Sequence, residues 1–244
     1  MKNFEIIFTL AIKSSITLLL IFLFSGCAKE PASIPASAIP IDTSNKPKTY
    51  LALGDSYTIG QSVAAEQRFP VQSTAIIFSQ GILINSPEII AVTGWTTGNL
   101  LVALNNNPPA KIYDFVSLLI GVNNQYQGRS KEEYKAEFST LLSKAINYAG
   151  GRSNRVFVLS IPDYSVTPFA RNSDTAAIAR DIDAFNAINK QLTLQAGITY
   201  LDVTPISREA RTDAALIATD GLHPSGKQYQ RWAAILAPVM KASL

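Results

Sequence analysis

"TYLALGDSYTIG", residues 49–60, sets an apolar run against a turn that holds Gly54, Asp55 and Ser56. The run 49–53 suits a short buried strand, and the residues after the turn read as the start of a helix. Gly supplies backbone angles closed to other residues, while Asp and Ser bond nearby amides, so the tripeptide is ordinary turn chemistry. By itself it fits a plain strand-to-helix connection and the seat of a nucleophilic serine equally well.

Working outward, the strand-then-helix junction repeats. A helix-like stretch covers 64–79, and "EIIAV" (88–92) is a second strand, followed by "TGNLLVALNN" (97–106) as a short helix. "FVSLLI" (115–120) is the third and most hydrophobic strand; after it Tyr134, Phe138, Leu141, Leu142, Ile146 and Ala149 recur at helical spacing. "RVFVLS" (155–160) is the fourth strand, the set Ile178, Ile182, Phe185, Ile188 and Leu192 marks another amphipathic helix, and "ITYLDV" (198–203) is the fifth strand. A last helix starts with Ser225 as N-cap and buries Tyr229, Trp232, Ala233 and Leu236. Continuously apolar strands separated by helices imply a parallel sheet covered on both faces. The expected fold is therefore α/β, a three-layer α/β/α sandwich on a five-stranded, flavodoxin-like parallel sheet, with its site beyond the carboxyl ends of the strands.

The first residues stand apart from this rhythm. Lys2 and Lys13 precede "SSITLLLIFLF" (14–24), an apolar stretch of signal-peptide length, and "LFSGC" (23–27) puts Ser25 and Gly26 before Cys27. This is similar to a bacterial lipobox, with Phe24 where that motif usually carries Leu. It implies a lipoprotein signal peptide over 1–26 and lipidation of Cys27; an anchor that is never cleaved is the alternative, and either tethers an exported protein to a membrane. Cys27 is the only cysteine in the 244 residues, so no internal disulfide forms, and lipidation accounts for a lone thiol in an exported chain. Each buried methylene of the acyl chains would add about 0.8 kcal/mol of membrane affinity. Ala28 in place of an Asp-type retention signal points to the outer membrane. Residues 28–47, "AKEPASIPASAIPIDTSNKP", are rich in Pro, Ala and Ser without a period, and read with Cys27 as a flexible spacer ahead of one domain over 48–244. The net charge of +3 is spread without basic runs, which excludes a nucleic-acid partner.

The strand ends carry the chemistry. Ser56 follows the first strand, Gly94 the second and "GVNN" (121–124) the third, and "DGLHP" (220–224) lies just before the last helix. A serine hydroxyl needs a base to attack well, and His223 is the only histidine in the chain. Asp220, three residues earlier, suits the group that fixes the imidazole tautomer. Read alone, "DGLHP" is equally a turn into a helix.

The four blocks "GDSYTIG", "TGWTT" (93–97), "GVNN" and "DGLHP" together resemble those of the SGNH, or GDSL-type, hydrolases, in that family's order along nearly the whole mature domain. The resemblance implies the same flavodoxin-like fold and hydrolysis of carboxylic esters. It assigns Ser56 as nucleophile, His223 as base and Asp220 as orienting acid. It places Gly94 and Asn123 beside the Ser56 N–H as oxyanion donors. Asn124 departs from the family, which often has Asp there, and this leaves its supporting hydrogen bonds open. A developing oxyanion makes each such donor worth about 2.7–4 kcal/mol.

Asp55 reads as structural, its carboxylate bonding turn amides. Trp95 either walls an acyl pocket or packs in the core. The irregular segment 161–174 is a substrate wall or an inert crossover. The leading expectation is a serine esterase or acylhydrolase acting through an acyl-enzyme on a small-molecule, lipid or glycan ester. Within the same family the alternatives are a thioesterase, a lysophospholipase or a deacetylase of envelope polysaccharides; a non-catalytic surface binding module is the alternative of another class. The G-x-S-x-G elbow of typical α/β-hydrolases is absent, as is a P-loop or dinucleotide fingerprint after the first strand. No cofactor is expected, and one histidine with a lipidated cysteine leaves no transition-metal set.

Overall fold

The computed structural model describes residues 46–244. Cys27, the signal peptide expected over 1–26 and nearly all of the spacer lie outside the described residues.

Five strands form one parallel sheet: β1 (Tyr50–Gly54), β2 (Glu88–Ala91), β3 (Phe115–Leu119), β4 (Val156–Leu159) and β5 (Thr199–Leu201), in the order β2-β1-β3-β4-β5. Every residue of β1, β3 and β4 is buried. Strands covered on both faces have no solvent side on which to place polar residues, which is why they read as unbroken apolar runs. The exception inside β3, Ser117, bonds the Tyr50 hydroxyl at 2.7 Å, so neither buried oxygen is left alone.

The helices are α1 (Ser56–Ile59), α2 (Phe69–Ser79), α3 (Thr97–Asn106), α4 (Val122–Tyr126), α5 (Lys131–Tyr148), α6 (Thr175–Gln195), α7 (Thr204–Arg208) and α8 (Gly226–Ala242). On one side α2 packs against α8 through Phe69, Tyr229 and Trp232, whose ring centroids lie 5.1–6.2 Å apart. On the other, α3, α5 and α6 lie side by side, and Tyr134 of α5 meets Phe185 of α6 at 4.8 Å. The layered α/β/α sandwich is thus the observed fold. Among the described residues no helix is long and apolar enough to cross a membrane.

Helix ends follow their sequence signals. Ser225 caps α8, its Oγ accepting from the Gln228 N–H, and Thr96 caps α3 by accepting from the Asn99 N–H. The stretch 64–79 is not one helix. Ala65–Gln67 forms a 3₁₀ turn, Arg68 is extended, and α2 begins at Phe69 with Pro70 in its first turn. Proline is tolerated there because its missing N–H has no intrahelical acceptor to lose. The short helices α1, α4 and α7 span too few residues to show a hydrophobic period.

Candidate active site

The strand order sets β1 between β2 and β3, so the chain crosses from β1 toward one edge of the sheet and from β3 toward the other. A crevice opens beyond the carboxyl ends at such a switch point. The loops that follow β1, β2 and β3 meet there, and a cavity of about 160 Å³ holds Ser56, Gly94, Asn123 and His223 on its walls.

Gly54 ends β1 where no side chain fits: a Cβ would lie 2.2 Å from Thr58 Oγ1 and 2.3 Å from the Leu119 carbonyl. This contact with β3 brings the turn down onto the sheet. Asp55 then caps α1, its Oδ1 accepting from the Tyr57 N–H at 3.0 Å. Ser56 is the first residue of α1, where an N–H has no intrahelical acceptor. The Ser56 hydroxyl has no hydrogen-bond partner among the described residues. A nucleophile–base hydrogen bond is often long in a free enzyme and tightens only with substrate.

His223 is buried, with its Nδ1 2.6 Å from Asp220 Oδ2. The other carboxylate oxygen accepts from the backbone N–H groups of Leu222 at 2.9 Å and His223 at 3.0 Å. The loop thereby folds around its own carboxylate. Tyr57 sets its ring edge-on to the imidazole, 5.6 Å between centroids, so His223 is held from a second side. Partial burial works to raise the Asp220 carboxyl, but the donors from His223, Ser62 and the two backbone amides outweigh it and hold the group well below the usual carboxylate range. An ionised carboxylate facing Nδ1 fixes the tautomer that leaves Nε2 free to accept a proton.

Gly94 has φ of +87°, which favours glycine, and the space its Cβ would take is empty. Its N–H donates to no protein acceptor among the described residues. Asn123 donates from Nδ2 to the Trp95 carbonyl at 2.9 Å. That bond uses one of two amide hydrogens and ties the third block to the second. Asn124 makes a second tie: its Oδ1 accepts from the Thr97 N–H at 3.0 Å and its Nδ2 donates to Thr97 Oγ1 at 2.7 Å. The Thr97 hydroxyl in turn donates to Glu137. An amide suits this place because a carboxylate at 124 would face Glu137 across a single hydroxyl proton. The supporting bonds left open by the departure at Asn124 are therefore supplied by Thr97 and Glu137.

Asp55 is fully buried beside Ser56, and its Oδ2 has no partner among the described residues. Burial pushes its carboxyl up to about 7, against the backbone amides of Tyr57 and Gly121. An unfolded aspartate titrates near about 3.9, so between about 4 and 7 the folded state binds more protons than the unfolded one, and stability falls as pH rises. Wild-type Tm should decline across that window, and Asp55→Asn, which stays neutral, should flatten the decline. Equal slopes of Tm against pH in the two proteins would contradict this account of Asp55.

Trp95 is half-buried against the core and contributes its carbonyl rather than its ring to the site. The cavity wall comes instead from Tyr126, Tyr164 and Phe169. The last two belong to the segment 161–174, which forms two 3₁₀ turns, Tyr164–Val166 and Pro168–Ala170, and so lines the cavity. Sequence reading did not single out Tyr126 or Ser62; nothing local marks either, since each meets the site only through the tertiary fold.

Solved structures of similar fold include a lipase/acylhydrolase from Enterococcus faecalis, at 19% identity and TM-score 0.61 over 80% of this chain and 96% of that one. An acetylxylan esterase from Geobacillus stearothermophilus aligns at 20% identity and TM-score 0.58 over 80% and 93% of the two chains. A lipase from a goat rumen metagenome aligns at 19% and 0.62 over 80% and 97%. Likeness at these identities carries the fold. Among curated protein sequences no significant match is found. The sequence model of one family does match, from the middle of β1 at residue 52 into α8 at residue 231, and so takes in all four blocks that meet at the cavity. The chain belongs to the GDSL-like lipase/acylhydrolase family.

Proposed function

We propose that the protein is a serine esterase that cleaves carboxylic esters through Ser56, His223 and Asp220. The observation that carries this reading is the Asp220–His223 hydrogen bond at 2.6 Å, with His223 on the wall of the cavity that also holds Ser56, whose hydroxyl has no partner among the described residues. Ser56 Oγ attacks the ester carbonyl while His223 Nε2 takes its proton, and the imidazolium formed is stabilised by Asp220. The carbonyl oxygen becomes an oxyanion held by the N–H groups of Ser56 and Gly94 and by Asn123 Nδ2. His223 returns the proton to the departing alkoxide, leaving an acyl-enzyme. Water, deprotonated by the same imidazole, then displaces Ser56 and releases the acid.

The same parts serve a thioesterase, a lysophospholipase or a deacetylase of envelope polysaccharides, and the acetylxylan esterase among the similar structures keeps glycan esters in view. Hydrolysis of p-nitrophenyl esters from acetate to palmitate by residues 48–244 tests the central reading, and a panel of thioester, lysophospholipid and acetylated-glycan substrates separates its variants. Absence of turnover on every one of them would favour a non-catalytic binding module. Asn123→Ala should lower kcat by about a hundredfold, with a smaller change in KM, because the amide acts mainly where charge develops. A loss carried by KM alone would make Asn123 a substrate-binding group instead.

We further infer that the chain is an exported lipoprotein anchored through Cys27, with residues 27–47 as the spacer between anchor and enzyme. The lone cysteine after "LFSG" supports this. Mass analysis of the native N-terminus checks it: a diacylated or triacylated Cys27 is expected, and an unmodified or earlier start would contradict it.

A further inference from the structure

Three aromatic rings edge the cavity. Tyr126 comes from the end of α4, and Tyr164 and Phe169 from the two 3₁₀ turns after β4; their centroids lie 6.1–6.3 Å apart pairwise. Tyr164 is buried at the base, while Tyr126 is 60% and Phe169 48% exposed. Two large rings left open to water beside a reactive serine form an apolar surface that a ligand can cover.

Two of the polar side chains nearby are already engaged. The Tyr164 hydroxyl donates to Gln125 Oε1 at 2.9 Å, and Thr93 Oγ1 donates to Gln61 Oε1 at 2.8 Å. Tyr57, Val122 and Leu222 complete the lining, and no Lys, Arg, Asp or Glu side chain takes part in it. A sugar needs several hydrogen-bond partners for its hydroxyls, and a phosphorylated headgroup needs a cation. The lining offers few of the first, mainly the Tyr57 and Tyr126 hydroxyls and Asn123, and none of the second.

Resting on the esterase reading, we propose that Tyr126, Tyr164 and Phe169 form a specificity subsite for the uncharged, apolar part of the ester, an alkyl chain or aryl ring. Neutral alkyl or aryl esters are then the substrate class, ahead of acetylated glycans and lysophospholipids.

The test uses two ester series, p-nitrophenyl acetate to octanoate and methyl to octyl butyrate, with wild type, Phe169→Ala and Tyr126→Ala. Both rings are exposed, so their removal leaves the core intact. In at least one series wild-type kcat/KM should rise about tenfold or more with apolar length, and each substitution should erase most of that rise, the loss growing with chain length. Retention of the length preference in both variants would overturn the proposal. So would a wild-type preference for acetylated xylo-oligosaccharide or lysophosphatidylcholine over the neutral octyl ester. Calorimetric titration with 2-naphthol reads the subsite without turnover: binding in wild type and its loss in Phe169→Ala support it, and equal binding overturns it. Failure to hydrolyse any ester would count against the esterase reading and leave the titration to decide the subsite.

A separate observation concerns Ser62. Among the described residues it is the one non-glycine with positive φ, +65°. Its Oγ donates at 2.7 Å to Asp220 Oδ2, the oxygen that also faces His223 Nδ1. With Leu222 and His223 amides on Oδ1, this engages all four acceptor sites of the carboxylate. A serine persists in a sparsely populated backbone region only when its surroundings over-determine it. The geometry points to Ser62 as a positioning residue that fixes Asp220, and through it the imidazole.

Ser62→Gly separates hydroxyl from backbone, because glycine accepts this φ without strain. Its kcat should fall about five- to tenfold with KM unchanged and Tm no lower than wild type, and Ser62→Ala should lose as much kcat. Wild-type kcat in the glycine variant would overturn the assignment and leave Ser62 a turn residue only.

Discussion

Ser56→Ala should reduce ester hydrolysis by about 10⁴-fold or more while leaving Tm nearly unchanged. The hydroxyl sits on a cavity wall, and among the described residues it has no hydrogen-bond partner, so its removal breaks no bond and opens no hole in the core. The only term lost is the covalent route. Residual turnover would come from the oxyanion donors acting on bound substrate and attacking water. Kinetics of p-nitrophenyl butyrate hydrolysis alongside thermal melts check both halves. A variant retaining a tenth of wild-type activity, or one that melts far lower, would contradict the assignment.

The pair behind the serine should matter nearly as much. His223→Ala should cost about as much as Ser56→Ala, and the double variant should be no slower than either single one, because the groups act as a unit. Asp220→Asn should lower kcat by about 10³–10⁴-fold. In the wild type Oδ2 faces Nδ1 at 2.6 Å, and an amide NH₂ in that place would favour the tautomer with its proton on Nε2, which cannot accept from Ser56. Additive losses in the Ser56/His223 double variant, or an Asp220→Asn enzyme within tenfold of wild type, would separate these residues from the mechanism.

What was legible in the chain followed the length and purity of its patterns. The five strands stand within about two residues of their expected ends; the inner strands β1, β3 and β4 are buried throughout, which leaves little room for polar residues. Helix α3 spans the stretch read for it, 97–106, with Thr96 supplying a cap. The broken start of the 64–79 stretch carried a signal in Pro70, since Pro belongs in a helix's first turn. The site blocks could be read because glycine at a strand end, an isolated histidine and an acid three residues before it are each tied to a local chemical need. Tyr126, Ser62 and Glu137 had no such mark, and Phe169 had only that of its segment, 161–174, read as a substrate wall or a crossover. An aromatic in a loop, a serine in a turn and a glutamate on a helix are common, and each gains its place here only through partners 30 to 160 positions away or by exposure at the cavity mouth. Trp95 shows the same limit from the other side: its neighbourhood fits a pocket wall or core packing alike, and in the structure the ring packs against the core while the carbonyl accepts from Asn123.

The central claim, that Ser56 is a nucleophile activated in place, is tested most directly by a serine-directed fluorophosphonate followed by intact-mass and peptide analysis. The account predicts one adduct per chain, located on Ser56, formed quickly in wild type, slowly in Asp220→Asn and His223→Ala, and not at all in Ser56→Ala. An unlabelled wild-type protein, or an adduct on any other residue, would contradict it.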